Sequence, residues 1–388
     1  MGKVAAVLVL GLILAQDPDR RRDELTARLE TLRGLKFKTP VALREGSRRE
    51  YGAYVLENAK RVYGSDLAAA EKGLKALGLL PPKIRLDLAI TAQAGLGVKV
   101  FTTGGDVLLL DPKAGDEWIL NKLDLALIDQ HFGPPPAATF DAQMAWAALR
   151  MGDAEVVKHL IWTSNKITAE TVKKVAEEAS AWEKGDSKLV SAVAPRIFVR
   201  SADFPWRRGA VFALTQYVAG TLDATYSRPP VSTEQILHPE KYAADEKPIA
   251  IDPGPVDEFM ASKGYTAVYK TTLGELGVAL VLETHFPRED LTSVSEGWGG
   301  DEFLVYEKEG AAPLVLWMTE WDSLDDAVKF QAQAFRLMKR VLSPDSELTA
   351  PALRQKAGVL FGVNVPKDLG DDLMSAAWKC KRTPARTY

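Results

Sequence analysis

The sequence predicts an α+β protein, mainly helical, with a short β-hairpin ahead of one central helix and a strand–strand–helix layer toward the C-terminus. Three observations carry that expectation. Most of the chain up to about residue 245 reads as capped helical segments. Two short apolar runs, Val98–Phe101 and Val107–Leu110, are joined by Thr102-Thr103-Gly104-Gly105-Asp106, the pattern of a hairpin. Beyond Pro248, short strand-like runs alternate with helical ones.

Taken in order, residues 17–33 are charge-rich and helix-prone, and Gly34 stops them. Pro40-Val41-Ala42-Leu43 reads as a short strand. Ser47 with Glu50 three residues on forms a capping box for a helix to Tyr63. Ser65 is expected to cap a second helix ending at Gly78, ahead of Pro81-Pro82. The hairpin precedes a helix from about Asp116 to His131, which Pro134-Pro135-Pro136 closes. A further helix is expected from Thr139 to Met151-Gly152, another from Thr168 to Lys184, and a third over Phe204–Leu222. Pro248, Pro253, Gly254 and Pro255 mark a boundary near residues 245–255. Past it, strands are expected over Tyr265–Tyr269, Phe303–Tyr306 and Leu314–Thr319, with helices over Leu273–Leu282 and Ser323–Val341. In the strands, Phe303 and Val305 alternate with Leu304 and Tyr306, and Leu314, Leu316 and Met318 with Val315 and Trp317, so each has two distinct faces. Ala327, Phe330, Ala334, Leu337 and Met338 give the last helix one apolar side.

The chain has 388 residues, 46% of them hydrophobic, enough for one large or two medium domains with a real core. Its formal charge is −3, with Lys and Arg dispersed, so nucleic acid is not an expected partner. Lys3, the apolar run Val4–Leu14 and the small Ala15 read as an export signal covering residues 1–15, too short to span a bilayer comfortably. The alternative is an uncleaved anchor. No stable span is expected after cleavage, and the expected location is periplasmic or extracellular. Cys380 is the single cysteine, so no internal disulfide is available, and Lys379 and Lys381 beside it do not make a catalytic site. No G-x-S-x-G elbow and no P-loop is present.

Several stretches resemble one family. Ala126-Leu127-Ile128-Asp129-Gln130-His131-Phe132 matches the end of the text L-A-H-E-L-x-H-A-L-Q-D-Q-H-F with one change. Ala148-Leu149-Arg150-Met151-Gly152-Asp153-Ala154 is similar to A-L-x-E-G-D-A, and Phe204-Pro205-Trp206 with Gly209 and Phe212 to F-P-Y-x-x-G-x-x-F. Pro229-Pro230-Val231-Ser232-Thr233-Glu234-Gln235-Ile236-Leu237-His238-Pro239-Glu240-Lys241-Tyr242 resembles P-P-x-S-T-E-Q-I-L-H-P-E-K-Y, and Gly297-Trp298-Gly299-Gly300-Asp301 resembles a G-W-G-G-D turn before a strand. The chain thus resembles, from about residue 30 to about 340, an exported zincin-like metallopeptidase-like family. The resemblance implies a zincin-like core over residues 16–248, with residues 249–388 packed on it as a C-terminal α/β region.

In that register the H-E-x-x-H box falls on Asn121-Lys122-Leu123-Asp124-Leu125. The positions of the three metal ligands are Asn121, Leu125 and Met151, and the general base position is Lys122. Two histidines four apart stack on one helix face, which is how such a box grips zinc. Leucine cannot ligate, a thioether suits zinc poorly, asparagine offers a neutral oxygen, and lysine brings a positive charge. The resemblance therefore implies a degenerate site with no metal, no cofactor and no catalytic residue, on a pseudopeptidase that binds or scaffolds protein or peptide partners. A hydrolase with a relocated site, using Asp124, Asp153, His131 or His238, and a purely structural envelope protein remain as alternatives. Asp124, His131, Asp153, Glu234 and His238 are the candidate cleft or loop contacts. Asp124 with Lys122 and Asn121 is one way to fill the vacated metal position. For the signature loop the expectation is structural: Thr233 caps a short turn, Pro239 ends it, and His238 pins it to the core with Tyr242 packed nearby. His131 is expected to be a structural histidine. The hairpin offers an edge strand to an extended peptide.

Overall fold

The computed structural model describes residues 18–94, 97–134, 138–162, 166–184, 195–287, 294–342, 348–349 and 352–384. The apolar run at 4–14 and Pro135-Pro136 lie outside them. The fold is mixed α+β and mainly helical.

The first part runs α1 (Pro18–Arg33), β1 (Leu43–Glu45), α2 (Arg48–Tyr63), α3 (Leu67–Ala76), α4 (Leu86–Ala94), β2 (Val100–Thr103), β3 (Asp106–Leu109), α5 (Asp116–Phe132), α6 (Phe140–Trp162), α7 (Ala169–Lys184) and α8 (Arg196–Val218). Three short helices follow, α9 (Leu222–Thr225), α10 (Thr233–Leu237) and α11 (Pro239–Ala243). The capping box forms as the sequence indicates: Ser47 accepts from the Glu50 N–H, and the Glu50 carboxylate accepts from the Ser47 N–H. For the next helix the cap is Asp66, one residue past the expected Ser65, because its carboxylate reaches two free N–H groups, those of Ala68 and Ala69. The first strand is also shifted, to Leu43–Glu45, where it pairs in parallel with β3, while β2 closes the hairpin on β3's other side. In the sheet order β1-β3-β2, β2 is an edge strand.

Two helices are longer than the sequence predicts. Gly152 reads as a stop, yet α6 continues to Trp162. Here the missing side chain serves packing. A Cβ on Gly152 would lie 2.0 Å from the Gly209 carbonyl oxygen, and a Cβ on Gly209 2.2 Å from that of Ala148. The backbones of α6 and α8 therefore touch. Likewise α8 begins at Arg196, with Pro205 inside it. The ring removes one backbone donor, and in the preceding turn the Ser201 hydroxyl bonds the Ile197 carbonyl.

The second part runs β4 (Ile249–Asp252), α12 (Gly254–Ser262), β5 (Thr266–Thr271), α13 (Gly274–His285), β6 (Trp298–Glu307), β7 (Leu314–Trp321), α14 (Leu324–Val341), β8 (Leu348–Thr349), β9 (Ala352–Gln355), β10 (Gly358–Val363), β11 (Val365–Pro366), α15 (Gly370–Lys379) and β12 (Lys381–Pro384). The expected strand–strand–helix layer is part of a five-stranded antiparallel sheet, β5-β6-β7-β10-β9. The alternation in its strands sorts into two cores. Phe303, Val305, Val315 and Trp317 join one cluster with Phe330 of α14 and with Leu74, Leu149 and Phe212 of the helical part. Leu304, Tyr306, Leu314, Leu316 and Met318 face Val256 and Met260 of α12 and Leu373, Met374 and Ala377 of α15. The sheet is thus buried on both faces, and the larger core runs unbroken across residue 248. Trp298–Asp301 is no turn but the start of β6, bulged between Trp298 and Gly300. Gly300 is needed there: its Cβ would meet the Ile249 carbonyl oxygen of β4 at 2.2 Å.

Among the described residues no helix is long and apolar enough to cross a membrane. Cys380 is buried at the end of α15, where burial raises its thiol pKa.

Gly209→Ala should be strongly destabilising, since its obstacle is backbone and cannot turn aside. The expected loss is about 2–3 kcal/mol in denaturant unfolding. An unchanged midpoint would show that α6 and α8 are not in backbone contact.

Candidate functional site

Helices α5 and α6 pack side by side, and three contacts fix their register. The Asn121 amide approaches Glu155 Oε1 at 3.5 Å, Asp124 and Asp153 share Arg33, and Arg150 pairs with Asp129 at 2.5 Å. Numbers rise along one helix as they fall along the other, so the helices are antiparallel. Met151 lies on the facing stretch of α6, between the contacts made by Arg150 and Asp153. Asn121 and Leu125 are buried, and Met151 is partly so.

Lys122 lies in the same place. Its Nζ donates to Asn121 Oδ1 at 3.0 Å and sits 4.1 Å from the centre of the Trp206 ring. The α6–α8 backbone contact brings that indole here, three residues before Gly209. Glu155 pairs with Lys158. Burial pushes the Lys122 pKa down to about 7; Glu155 opposes the shift, while Arg150 and Lys158 reinforce it. The edge strand is adjacent, since the Thr102 hydroxyl donates to the Lys122 carbonyl at 3.1 Å. The expected cluster of Asp124 with Lys122 and Asn121 does not form: Asn121 and Lys122 instead gather with Glu155 and Lys158, and Lys122 lies over Trp206.

Asp124 belongs elsewhere, although it neighbours these residues in sequence. It joins Asp153 around Arg33. The three side chains are 0%, 0% and 5% exposed, so this is a desolvated group. Arg33 Nη2 lies 2.8 Å from Asp153 Oδ2, and Nε 3.2 Å from Asp124 Oδ1. The Tyr226 hydroxyl donates to Asp153 Oδ2 at 2.8 Å, and the more exposed Asp223 lies 3.4 Å from Arg33. Asp124 has the charge contact but no aligned hydrogen bond on either oxygen. Burial raises the pKa of both acids, against the pull of Arg33. Burial also works against the arginine's charge, but Asp153 and Asp124 outweigh it and raise its pKa.

The signature loop forms a third group. Ser232, not Thr233, caps α10 by accepting from the Gln235 N–H. Thr233 instead gives both its N–H and its hydroxyl to Asp141 Oδ1, and its hydroxyl accepts from the Leu276 N–H. The turn ends just before Pro239, as expected, and Pro239 also opens α11. His238 Nε2 meets the Glu275 carboxylate at 3.1 Å, and the Tyr242 hydroxyl donates to the Arg228 carbonyl. Glu234 is buried and paired with Lys241 at 2.6 Å. Burial pushes its pKa up to about 8, and Lys241 opposes that. Lys241 also binds Asp322 at 2.6 Å and Glu246 at 3.0 Å, so one ammonium stands among three carboxylates. His131 lies about 14 Å along α5 from Lys122, at 1.5 Å per residue, and its Nε2 contacts the Lys36 carbonyl at 2.7 Å.

Among the candidate residues, then, Asp124 and Asp153 come together, Glu234 and His238 share a second network, and His131 stands apart. Glu155, Lys158, Trp206 and Arg33 were not anticipated. Continuing the α6 periodicity past Gly152 would have found Glu155, four residues after Met151 and on the same face.

A family model described as a domain of unknown function (DUF8575) matches residues 264–360. That span covers most of the five-stranded sheet with α13 and α14, and excludes α5 and α6. No curated protein and no solved structure matches the chain.

Arg33→Leu would leave Asp124 and Asp153 buried without their cation, a loss of about 3–5 kcal/mol at neutral pH. Both acids have folded pKa values above their unfolded ones. Each therefore takes up a proton on folding, and its cost grows as pH rises. The loss should shrink between pH about 8 and about 5, and adding Asp124→Asn should recover part of it; equal losses at both pH values would contradict a charge-based role.

Lys122→Met should act in the opposite direction. The folded pKa near 7 lies below the unfolded value of about 10.4. As pH falls through that window the unfolded chain takes the proton first, so the lysine weakens folding most at pH 7 and below. The variant should be more stable than wild type by roughly 2 kcal/mol at pH 7, with the difference closing toward pH about 10; a less stable variant at pH 7 would refute the assignment.

Proposed function

We propose that this protein is an exported, non-catalytic metallopeptidase-like protein that binds protein or peptide partners without cutting them. One observation carries the reading. The ligand positions that the resemblance implies carry Asn121 and Leu125 on α5 and Met151 on the neighbouring α6, and the base position holds Lys122, a partly buried lysine bonded to Asn121 and set over the face of Trp206. A cation so placed opposes a second one: the repulsion is about 4 kcal/mol per pair of unit charges near 4 Å at an effective dielectric constant of 20. The relocated-hydrolase alternative gains little support. Asp124 and Asp153 are engaged by Arg33 in a closed environment, and His238 is engaged by Glu275. The edge strand β2, one residue of which touches Lys122, is the natural place for an extended partner. Export rests on the N-terminal sequence.

Elemental analysis after incubation with excess zinc tests the reading. The wild-type protein should retain almost none. The quadruple variant Asn121→His, Lys122→Glu, Leu125→His, Met151→Glu should hold about one zinc per chain in a site of three protein ligands. Stoichiometric zinc on the wild type would end the proposal. A folded quadruple variant that binds no zinc would remove the basis for the register.

A further inference from the structure

The general-base position that the family resemblance implies is occupied by Lys122 in this chain. Lys122 has Arg150 and Lys158 as neighbours of its own sign and Glu155 as the nearest opposing group. Glu155 is engaged by Lys158 and by the Asn121 amide, and Arg150 has Asp129. Among the described residues, each flanking cation therefore has its own carboxylate. Lys122 has none within ion-pair distance, only the neutral Asn121 oxygen and the face of Trp206. Arg150 also keeps a buried Nε without an acceptor. Lys122, Arg150 and Lys158 are each partly exposed as residues.

We infer that this cluster is an anion site, and that the anion it takes is the free C-terminal carboxylate of a peptide. A carboxylate carries a full negative charge on two oxygens, so it can accept from the Lys122 ammonium in a charge-assisted hydrogen bond. It would give Lys122 the counter-charge that an amide oxygen and an aromatic ring do not supply. The second half of the assignment comes from β2. Its Thr102 hydroxyl is bonded to the Lys122 carbonyl, so a chain pairing with that edge runs beside the lysine. Backbone pairing along the edge would hold the peptide, and the charge at its end would set where it stops. The inference rests on the proposed partner-binding role and names the chemistry that the partner must present.

The test uses the immobilised full-length protein and one randomised hexapeptide pool, prepared as free acids and as C-terminal amides. Retention of the acids should exceed that of the amides by about tenfold, the difference that about 1.4 kcal/mol of charge recognition makes. Lys122→Met, with its fold checked by circular dichroism, should bring the ratio to about one, and Lys122→Arg should restore most of it. Equal retention of acids and amides by the wild type would overturn the carboxylate site while leaving partner binding intact. Retention of neither pool would overturn both. Displacement of the acids by sodium acetate at the peptides' own concentration would mean that the site takes any small carboxylate, which overturns the peptide assignment. A preference unchanged in Lys122→Met would place recognition elsewhere.

Discussion

The contact between α6 and α8 is the constraint from which the geometry around Lys122 follows. Gly152 and Gly209 have no side chains to hold the helices apart, and the backbone of each would be struck by a Cβ on the other. At that distance both helices have one possible relative placement. Trp206, three residues ahead of Gly209, is delivered over Lys122. On the neighbouring faces of α6, Asp153 reaches Arg33 and Glu155 reaches Asn121. The short text around Gly152 thus combines a steric function and a charge function: the glycine allows the approach, and the aspartate beside it uses the approach to close a buried ion cluster with α1 and α5. Loosening the crossing would misplace both at once.

A second set of interactions joins the helical part to the sheet, and it is built from buried carboxylates that accept several donors. Asp301 receives the N–H groups of Leu273 and Gly274 and the indole N–H groups of Trp298 and Trp317, at 2.9–3.0 Å. Those four donors come from the start of α13 and from two strands. Asp141, at the start of α6, plays the same part for α10 by binding Thr233, whose hydroxyl then caps toward α13. Gly274 lies between the two acids. Its φ is +73°, and a side chain on it would overlap Asp141, so a glycine is required twice over. Buried acids cost free energy unless donors surround them. Here the donors are contributed by different elements, so meeting that cost is the same event as docking the elements together.

These arrangements were unequally legible in the sequence. The local ones were plain: the capping box at Ser47 and Glu50, the hairpin around Gly104-Gly105 and the two-faced strands at 303–306 and 314–319 each depend on residues a few positions apart. The fold class follows from them. Gly152 and Pro205 misled for a common reason. Both residues break helices in isolation, and whether they do so in a protein depends on what lies across from them, which for Gly152 is Gly209, nearly sixty positions away. Ending α6 at Gly152 also hid Glu155, and with it the identity of the cluster around Lys122. The signature loop shows the same limit. Its density of polar residues indicated a demanding environment, but Thr233 answers to Asp141 and His238 to Glu275, and no local rule names partners that far off. The residues at 121, 122, 125 and 151 could be singled out because the resemblance needs only a register, not a partner.

Lys122 is the residue that filling a volume does not explain. Leu125 and Met151 are apolar side chains at positions where the resemblance places ligands, and they need no counter-charge. A lysine needs one, and burial pushes its pKa down to about 7. A leucine or methionine would fill the same space against Trp206 without that penalty, so stability alone favours losing the charge. The surroundings also remain polar, with Asn121, Glu155 and Lys158 beside it and Thr102 anchored to its carbonyl. A helix surface serving only as core would have no use for four such groups at one point. Among the described residues, Lys158 and Arg150 are paired and Lys122 is not, an arrangement that suits recognition of negative charge, and it stands beside β2, an edge strand of the small sheet.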